Sequence, residues 1–475
     1  MVNLIVGLSK YILILLILIY TFSCFSIFGA WDPDDKKKIL RRQTVVMFMT
    51  LTIAYLIMFL QKEDMKLLIF YGMQVVMFVL VVLLYSNIYP KVSRLVLNNM
   101  CMLMSIGFII LTRLSYDKAF KQYIIACGGF VISLIIPVMI RKFKFLAKWK
   151  YIYAGIGLAA LLAVAVLART TYGAKLGFSV AGINIQPSEL VKIIFVFFVA
   201  SSFAISIKFK NVVLTTAIAA LHVLILVAST DLGSALIIFI VYITMLYVAT
   251  KQPLYILAGG GAGAAASVLA YKFFTHVHTR VEVWRDPFKN YDKGGYQVAQ
   301  SLFAIGTGGW FGAGLFNGQP DKIPVAAEDF VFSAICEELG LIFALCIILI
   351  CLSCYIMILN IAMQLHNSFY KFVALGLGTC YIFQVFLTVG GVTKFIPSTG
   401  VTLPFVSYGG SSLVSTLVMF AIIQGLYIVR EDEEEDIERQ REERLRAKRS
   451  RENVKRRVRT SGQAEKRTKK SQGRV

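Results

Sequence analysis

Charged side chains are scarce in this chain, 16 % of its 475 residues, against about a quarter in an ordinary soluble domain. Set beside 57 % hydrophobic residues, that deficit excludes a water-soluble enzyme built round one core and describes a polytopic membrane protein. Histidine is nearly missing, with four copies. His276 and His278 flank Val277 just outside an apolar run with no third ligand nearby, so no metal centre is read there. The eight cysteines, Cys24, Cys101, Cys127, Cys336, Cys346, Cys351, Cys354 and Cys380, all fall within or at the ends of apolar runs. Cys351 and Cys354 have redox spacing but sit in LCIILICLSCYIMIL, with no base or polar loop beside them, and read as small membrane residues. A phosphate loop is also missing. LAGGGAGAAAS, from Leu257 to Ser267, lacks the Gly-Lys-Ser/Thr ending and lies in an apolar run, where small residues let helices approach closely.

What is there is a succession of apolar runs near the length of about 20 residues that a membrane helix takes. Thirteen are legible, over 11–30, 43–61, 67–86, 95–112, 122–140, 150–168, 189–206, 211–228, 233–249, 253–271, 333–358, 370–391 and 410–429. The first is read as a span rather than a cleaved leader. The expected fold class is therefore an all-α polytopic membrane protein. Lys and Arg set its orientation. Lys36, Lys37, Lys38, Arg41 and Arg42 crowd one loop, and Arg141, Lys142, Lys144, Lys148 and Lys150 another. With thirteen spans both fall on one side with Lys208, Lys210 and the tail, so that side is expected to be the cytoplasm and the N-terminus to lie outside. The net charge of +22 is spread over these segments, where anionic lipid headgroups are the natural partner and nucleic acid is not. From Arg430 onward the chain is EDEEEDIE followed by basic runs with hardly any apolar residue, a charged cytoplasmic tail over 431–475 that cannot form a core.

On the opposite side, no membrane-length apolar run occurs between Lys272 and Phe332. This loop, 272–332, sets Arg280, Glu282, Arg285, Asp286, Lys289, Asp292 and Lys293 beside Trp284, Phe288 and Tyr291, a mixture suited to a charged, sugar-like or lipid-like substrate. Charges at span ends add further candidates, since each is costly in a bilayer and tends to be kept for function. Glu189 and Lys192 open one span three residues apart, on one helix face, after Gln186 and Pro187. They read equally as a structural ion pair. Asp231 stands in the short turn STDLGS as a helix cap or substrate contact, capping being favoured. Arg113, Asp117, Lys121 and Gln122 form a third group, and Glu328, Asp329, Glu337 and Glu338 a fourth.

The last exterior loop reads GGVTKFIPSTGVTLPFVSYGGSSL. Together with NIQPSELVKI, TDLGSAL, GGYQVAQSLFAIGTGGWFGAGL and EDFVFSAICEELG it resembles the shape, elongation, division and sporulation family, FtsW/RodA/SpoVE. The likeness spans residues 95–430, ten of the thirteen spans, and leaves 1–94 as a three-helix N-terminal extension. It implies a glycosyltransferase of the bacterial cytoplasmic membrane that polymerises lipid II into peptidoglycan strands, usually beside a class B penicillin-binding protein transpeptidase. Two other readings stand beside it, a flippase for the lipid-linked precursor and a catalytically silent scaffold.

Such chemistry needs a base for the attacking sugar hydroxyl and cations around the diphosphate. Arg113, Lys121, Arg280, Arg285, Lys289 and Lys394 are available cations; a divalent cation at the diphosphate is compatible with the same chemistry. Gly409 and Gly410 allow close backbone approach, and Thr399, Ser407, Tyr408, Ser411 and Ser412 offer hydroxyls. One departure stands out. The family's catalytic aspartate lies six residues before the aromatic of a Gly-Tyr-Gln-like motif, and counting back from Tyr296 lands on Asn290. An amide cannot act as the base, so the role passes to Asp292, to Asp286, or to neither.

Overall fold

The computed structural model describes residues 2–167, 177–180 and 183–472. Sixteen α-helices account for nearly all of it: α1 (Val2–Gly29), α2 (Pro33–Lys62), α3 (Met65–Ile88), α4 (Arg94–Leu114), α5 (Tyr116–Lys142), α6 (Lys150–Leu167), α7 (Pro187–Ile205), α8 (Phe209–Ala228), α9 (Leu232–Thr250), α10 (Pro253–Phe273), α11 (Thr275–Arg285), α12 (Gly295–Gly308), α13 (Val331–Leu339), α14 (Leu341–Gln364), α15 (Ser368–Val392) and α16 (Gly410–Gln472). A small antiparallel hairpin, β1 (Phe178–Val180) with β2 (Ile183–Ile185), precedes α7. Thirteen helices are long and apolar enough to cross a membrane, as the sequence predicts. Ala168, the last residue of the sixth predicted span, lies outside the described residues.

Local chemistry sets many of the helix starts. Asp32, Asp64, Ser115, Asp231 and Asn367 each accept a hydrogen bond from a backbone N–H of the first turn that follows, and Pro33, Pro187 and Pro253 occupy first-turn positions where no intrahelical donor is lost. One predicted boundary is corrected. The span read over 333–358 begins at Leu341, because Gly340, at φ 91°, breaks the helix after α13. Glu337, Glu338 and Cys336 therefore belong to the polar connection rather than to a membrane helix.

Helix α4 is the axis of the bundle, the one span among the described residues whose apolar window is buried throughout. Gly107 makes this possible on one side: a Cβ there would lie 2.7 Å from the Phe405 carbonyl oxygen. The tail half of α16 continues the last span as one helix to Gln472 instead of forming a separate segment. By contrast, α10 has no buried residue at all, and it touches little besides α9 and α11.

Two faces follow from the pairings between span ends. On one, Lys91 bonds Asp432 at 2.8 Å, Arg141 bonds Asp432 at 2.6 Å and the His366 backbone N–H bonds Glu433 at 2.9 Å. On the other lie the loops around Gln186, Asp231, 274–340 and 393–409. The extension α1–α3 is packed on the core, α1 against α14 and α2 against α4. Its seam is polar: Tyr20 Oη and Cys24 Sγ donate to Asn99 Oδ1 at 3.0 and 3.2 Å, Asn98 donates to Gln43 Oε1 at 3.3 Å, and Tyr55 and Thr112 share a bond of 2.8 Å.

Candidate functional site

Three helix N-termini, those of α7, α9 and α16, meet on the second face. Asp231 caps α9, its Oδ1 accepting from the Ser234 N–H at 3.2 Å, while its Oδ2 accepts from Ser188 Oγ at 2.7 Å and Gln186 Nε2 at 3.2 Å. The Gln186 N–H donates to Ser411 Oγ at 2.8 Å and so ties α7 to α16. Asp231 thus is the cap of α9, with its second oxygen engaged beside it. One turn deeper, Lys192 and Glu189 form a buried ion pair of 3.0 Å, extended by Lys192 to Gln384 Oε1 at 2.9 Å and by Ser415 Oγ to Glu189 Oε2 at 3.0 Å. Four polar groups from α7, α15 and α16 satisfy one another there, as two charges in an apolar bundle require.

The 393–409 loop closes over this cluster. Gln384 Nε2 donates to the Thr402 carbonyl, and Thr402 Oγ1 to Ser412 Oγ at 2.7 Å. Ser407 Oγ accepts from the Leu403 N–H at 2.9 Å, while Gln122 brackets the turn by donating to the Ser407 carbonyl and accepting from the Gly409 N–H. The hydroxyls of Ser407 and Ser412 hold the turn, and Gly410 begins α16 behind it. Tyr408 is half-exposed, with the Lys118 ammonium 5.3 Å from its ring centre, and Lys118 also pairs with Glu328 at 3.1 Å. Thr399 Oγ1 is buried with no hydrogen-bond partner among the described residues.

Arg280, on α11, donates to the Ser398 carbonyl at 3.3 Å. It flanks Gly400 opposite Asp329: a Cβ at that glycine would lie 3.5 Å from Asp329 Oδ2 and 3.7 Å from the Arg280 guanidinium. Gly400 also sits at φ +74°, a backbone conformation that disfavours a side chain there. Burial, reinforced by the charge of Glu328, pushes the Asp329 carboxyl up to about 6 against the pull of Arg280. Burial likewise lowers Arg280. Trp284 donates to the Lys394 carbonyl at 3.1 Å and pins the two loops together.

The two candidates for the base, Asp286 and Asp292, and Asn290 between them occupy different positions. Asp286 Oδ1 accepts from the N–H groups of Phe288 and Lys289 at 3.1 and 3.0 Å, so it folds the turn after α11. Asn290 Nδ2 donates to the Glu282 and Asp286 carbonyls at 3.2 and 2.9 Å, a pairing that uses the amide as a donor. Asp292, in the short 3₁₀ turn Tyr291–Lys293, is exposed.

The predicted third group does not form one cluster. Arg113 turns away to Glu338 at 2.8 Å, Asp321 at 3.4 Å and the Gly318 carbonyl at 3.3 Å, while Asp117 and Lys121 are exposed. Sequence reading passed over Ser188, Gln384, Thr402 and Ser415. Of these, Gln384 carried a signal, a lone amide inside an apolar run.

The FtsW/RodA/SpoVE profile, described as cell cycle protein, matches residues 91–431. Peptidoglycan glycosyltransferase RodA of Mycobacterium leprae is 33 % identical over 364 residues, covering 70 % of this chain and 77 % of the relative. Two solved structures share the fold. One belongs to a peptidoglycan synthase complex described as coordinating polymerization and crosslinking, with a TM-score of 0.61 at 23 % identity over 71 % of this chain and 98 % of that one. The other, rod shape determining protein RodA of Thermus thermophilus, has a TM-score of 0.55 at 21 % identity over 71 % and 97 %. With the QPSEL, TDLGSAL and PFVSYGGSS segments joined in one polar site at the ends of its spans, this chain belongs to the FtsW/RodA/SpoVE family.

Proposed function

We propose that the protein polymerises lipid II into glycan strands on the outer face of the bacterial cytoplasmic membrane. The observation that carries this reading is the convergence of the N-termini of α7, α9 and α16 with Arg280 on one polar patch at the level where spans end. Helix N-termini present unpaired N–H groups and a partial positive charge, an arrangement that favours a diphosphate. The apolar spans below accept a polyprenyl chain, and the aromatics of the 272–332 loop offer stacking surfaces for sugar rings. In this reading Arg280, Lys121 and Lys394 stabilise the departing diphosphate, while Thr399, Tyr408 and Ser411 contact the substrate. Asp292 takes the proton of the attacking hydroxyl, since Asp286 and Asn290 are committed to the backbone of their own turn. The face carrying Lys36–Lys38, Arg141–Lys150 and the tail is the cytoplasmic one, with anionic lipid against it. A class B penicillin-binding protein supplies crosslinking, in keeping with the synthase complex to which the solved relative belongs.

Purified full-length protein incubated with labelled lipid II tests the reading: glycan ladders are expected. Movement of lipid II across liposome leaflets without polymer would replace it with a transporter. Tight transpeptidase binding with neither activity would make the protein a scaffold.

A further inference from the structure

Nothing in the site described so far explains the three extra helices. The solved synthase subunit is covered over 98 % of its length by 71 % of this chain, and the family match begins at residue 91, so α1–α3 are an addition to the shared core. Two lysines of the extension at the second face nevertheless reach one segment of the 274–340 connection. Lys10 Nζ, on α1, donates to the Gly312 carbonyl at 3.0 Å, and the neighbouring Tyr11 ring lies 5.7 Å from that of Phe311. At the far end of α2, the Lys62 ammonium stands 5.4 Å from the ring centre of Phe316, whose ring also receives the Arg113 guanidinium at 4.7 Å. Arg113 then binds Gly318 and Asp321 a few residues on.

A lysine at the end of a membrane helix ordinarily extends its ammonium to headgroups and water. Lys10 instead meets a backbone carbonyl, and Lys62, itself exposed, sets its ammonium against an aromatic face. The held segment is conformationally demanding: Phe316 has φ 68° and Gly312 φ 73°, in the left-handed region that a phenylalanine rarely adopts. Its other side is zipped to α13 and α14 by Ala313 N–H to the Glu337 carbonyl, Gly314 N–H to the Glu338 carbonyl and Leu341 N–H to the Gly309 carbonyl. The same segment runs on to Ala327, whose carbonyl accepts the Tyr408 N–H at 2.7 Å, and to Asp329 beside Arg280. One stretch of chain thus has the extension at its start and the polar site at its end.

We propose that α1 and α2 of the extension are a built-in clamp on the 309–321 segment, with Lys10 and Lys62 as positioning residues that hold the site's 322–329 wall in its working place. This rests on the polymerase reading for its kinetic consequence only. The clamp acts on geometry and leaves substrate contacts alone, so its loss lowers turnover more than affinity.

The test uses full-length protein with both lysines changed, Lys10→Met with Lys62→Met, which keeps the aliphatic stems and removes the ammonium groups, and a companion with both changed to Arg. Amide exchange over 309–321 is expected to speed up by about tenfold in the Met pair, with α4 and α14 unchanged, and kcat for lipid II polymerisation to fall by about tenfold while KM moves less than about twofold. The Arg pair restores both. Unchanged exchange over 309–321 would overturn the clamp, as would faster exchange spread through α4 and α14, which marks a general loss of packing. If the parent makes polymer and the Met pair makes it equally fast, the link to synthesis fails alone. If the parent makes none, the polymerase reading fails, and exchange still decides the clamp.

Discussion

At the residue scale the sharpest contrast lies between three neighbours of similar chemistry. Asp286 and Asn290 both serve backbone groups of the turn after α11, whereas Asp292, exposed like Asp286, lies beyond that turn. Asp292→Asn is therefore expected to reduce strand synthesis by about 10²–10⁴-fold, the range for loss of a general base, without loss of protein from the membrane. Asp286→Asn weakens the turn and gives a milder defect. Asn290→Asp replaces a donor with an acceptor facing two carbonyls, so it is expected to loosen the turn even as it restores the family's carboxylate; polymer ladders and folded yield measured together separate the two effects. Full activity in the Asp286→Asn, Asp292→Asn double variant would remove this loop as the source of the base and direct attention to Asp329.

Glu338 makes a prediction of another kind. Burial pushes its carboxyl from 4.5 up to about 7 despite the Arg113 pair. A raised carboxyl binds its proton more tightly in the folded protein than in the unfolded one, so this group's contribution favours folding below about pH 4.5 and is lost as pH climbs towards 7. At most about 3 kcal/mol is involved. Melting of the purified protein across that window is expected to show the decline, and Glu338→Gln to flatten it. An unaltered pH profile in the variant would place the proton elsewhere.

At the element scale, the thirteen spans were legible because each is a long apolar run and length alone identifies it. The break between α13 and α14 was not: Gly340 lies in a sequence, EELGLIFALC, whose hydropathy rises without interruption into the span. Its positive φ is imposed by the zipper to residues 309–314, which are distant in sequence. Asn290 shows the same limit. Counting residues found the position, but only the fold reveals that its amide is a backbone donor. The tail was legible in composition and not in shape, since acidic and basic runs can be helical or irregular. In the structure its acidic start is docked on Lys91 and Arg141 and the side chains over 437–446 are exposed. Truncation before Glu438 keeps every one of those docking pairs, so polymerisation in vitro is expected to persist. Loss of activity in a well-folded truncation would show that the exposed half acts on the site.

At the scale of the whole molecule, alternating spans sort the described polar loops onto one of two faces, and the pairings across each face agree with that sorting. Cysteines introduced beside Lys37 and Lys144 are expected to be shielded from impermeant thiol reagents in whole cells, and ones beside Asn290 and Thr399 to react. Reversed labelling would turn the proposed site towards the cytoplasm and end the lipid II reading. What no single segment could disclose is that the extension belongs to the second face as firmly as the core does, through partners some 300 residues away.

Helix α10 carries none of this packing, and that isolation has a mechanical meaning. A helix wetted by lipid on nearly every side takes its tilt from the match between its apolar length and the thickness of the bilayer. It is joined at Phe273 to α11, which bears Arg280 and Trp284. Membrane thickness is thereby coupled to the wall of the site: in vesicles of short, matched and long acyl chains, α10 tilts by different amounts and Arg280 moves with it, so the rate of strand synthesis is expected to peak at one thickness. The bilayer becomes a component of the machine whose chain length sets its working geometry.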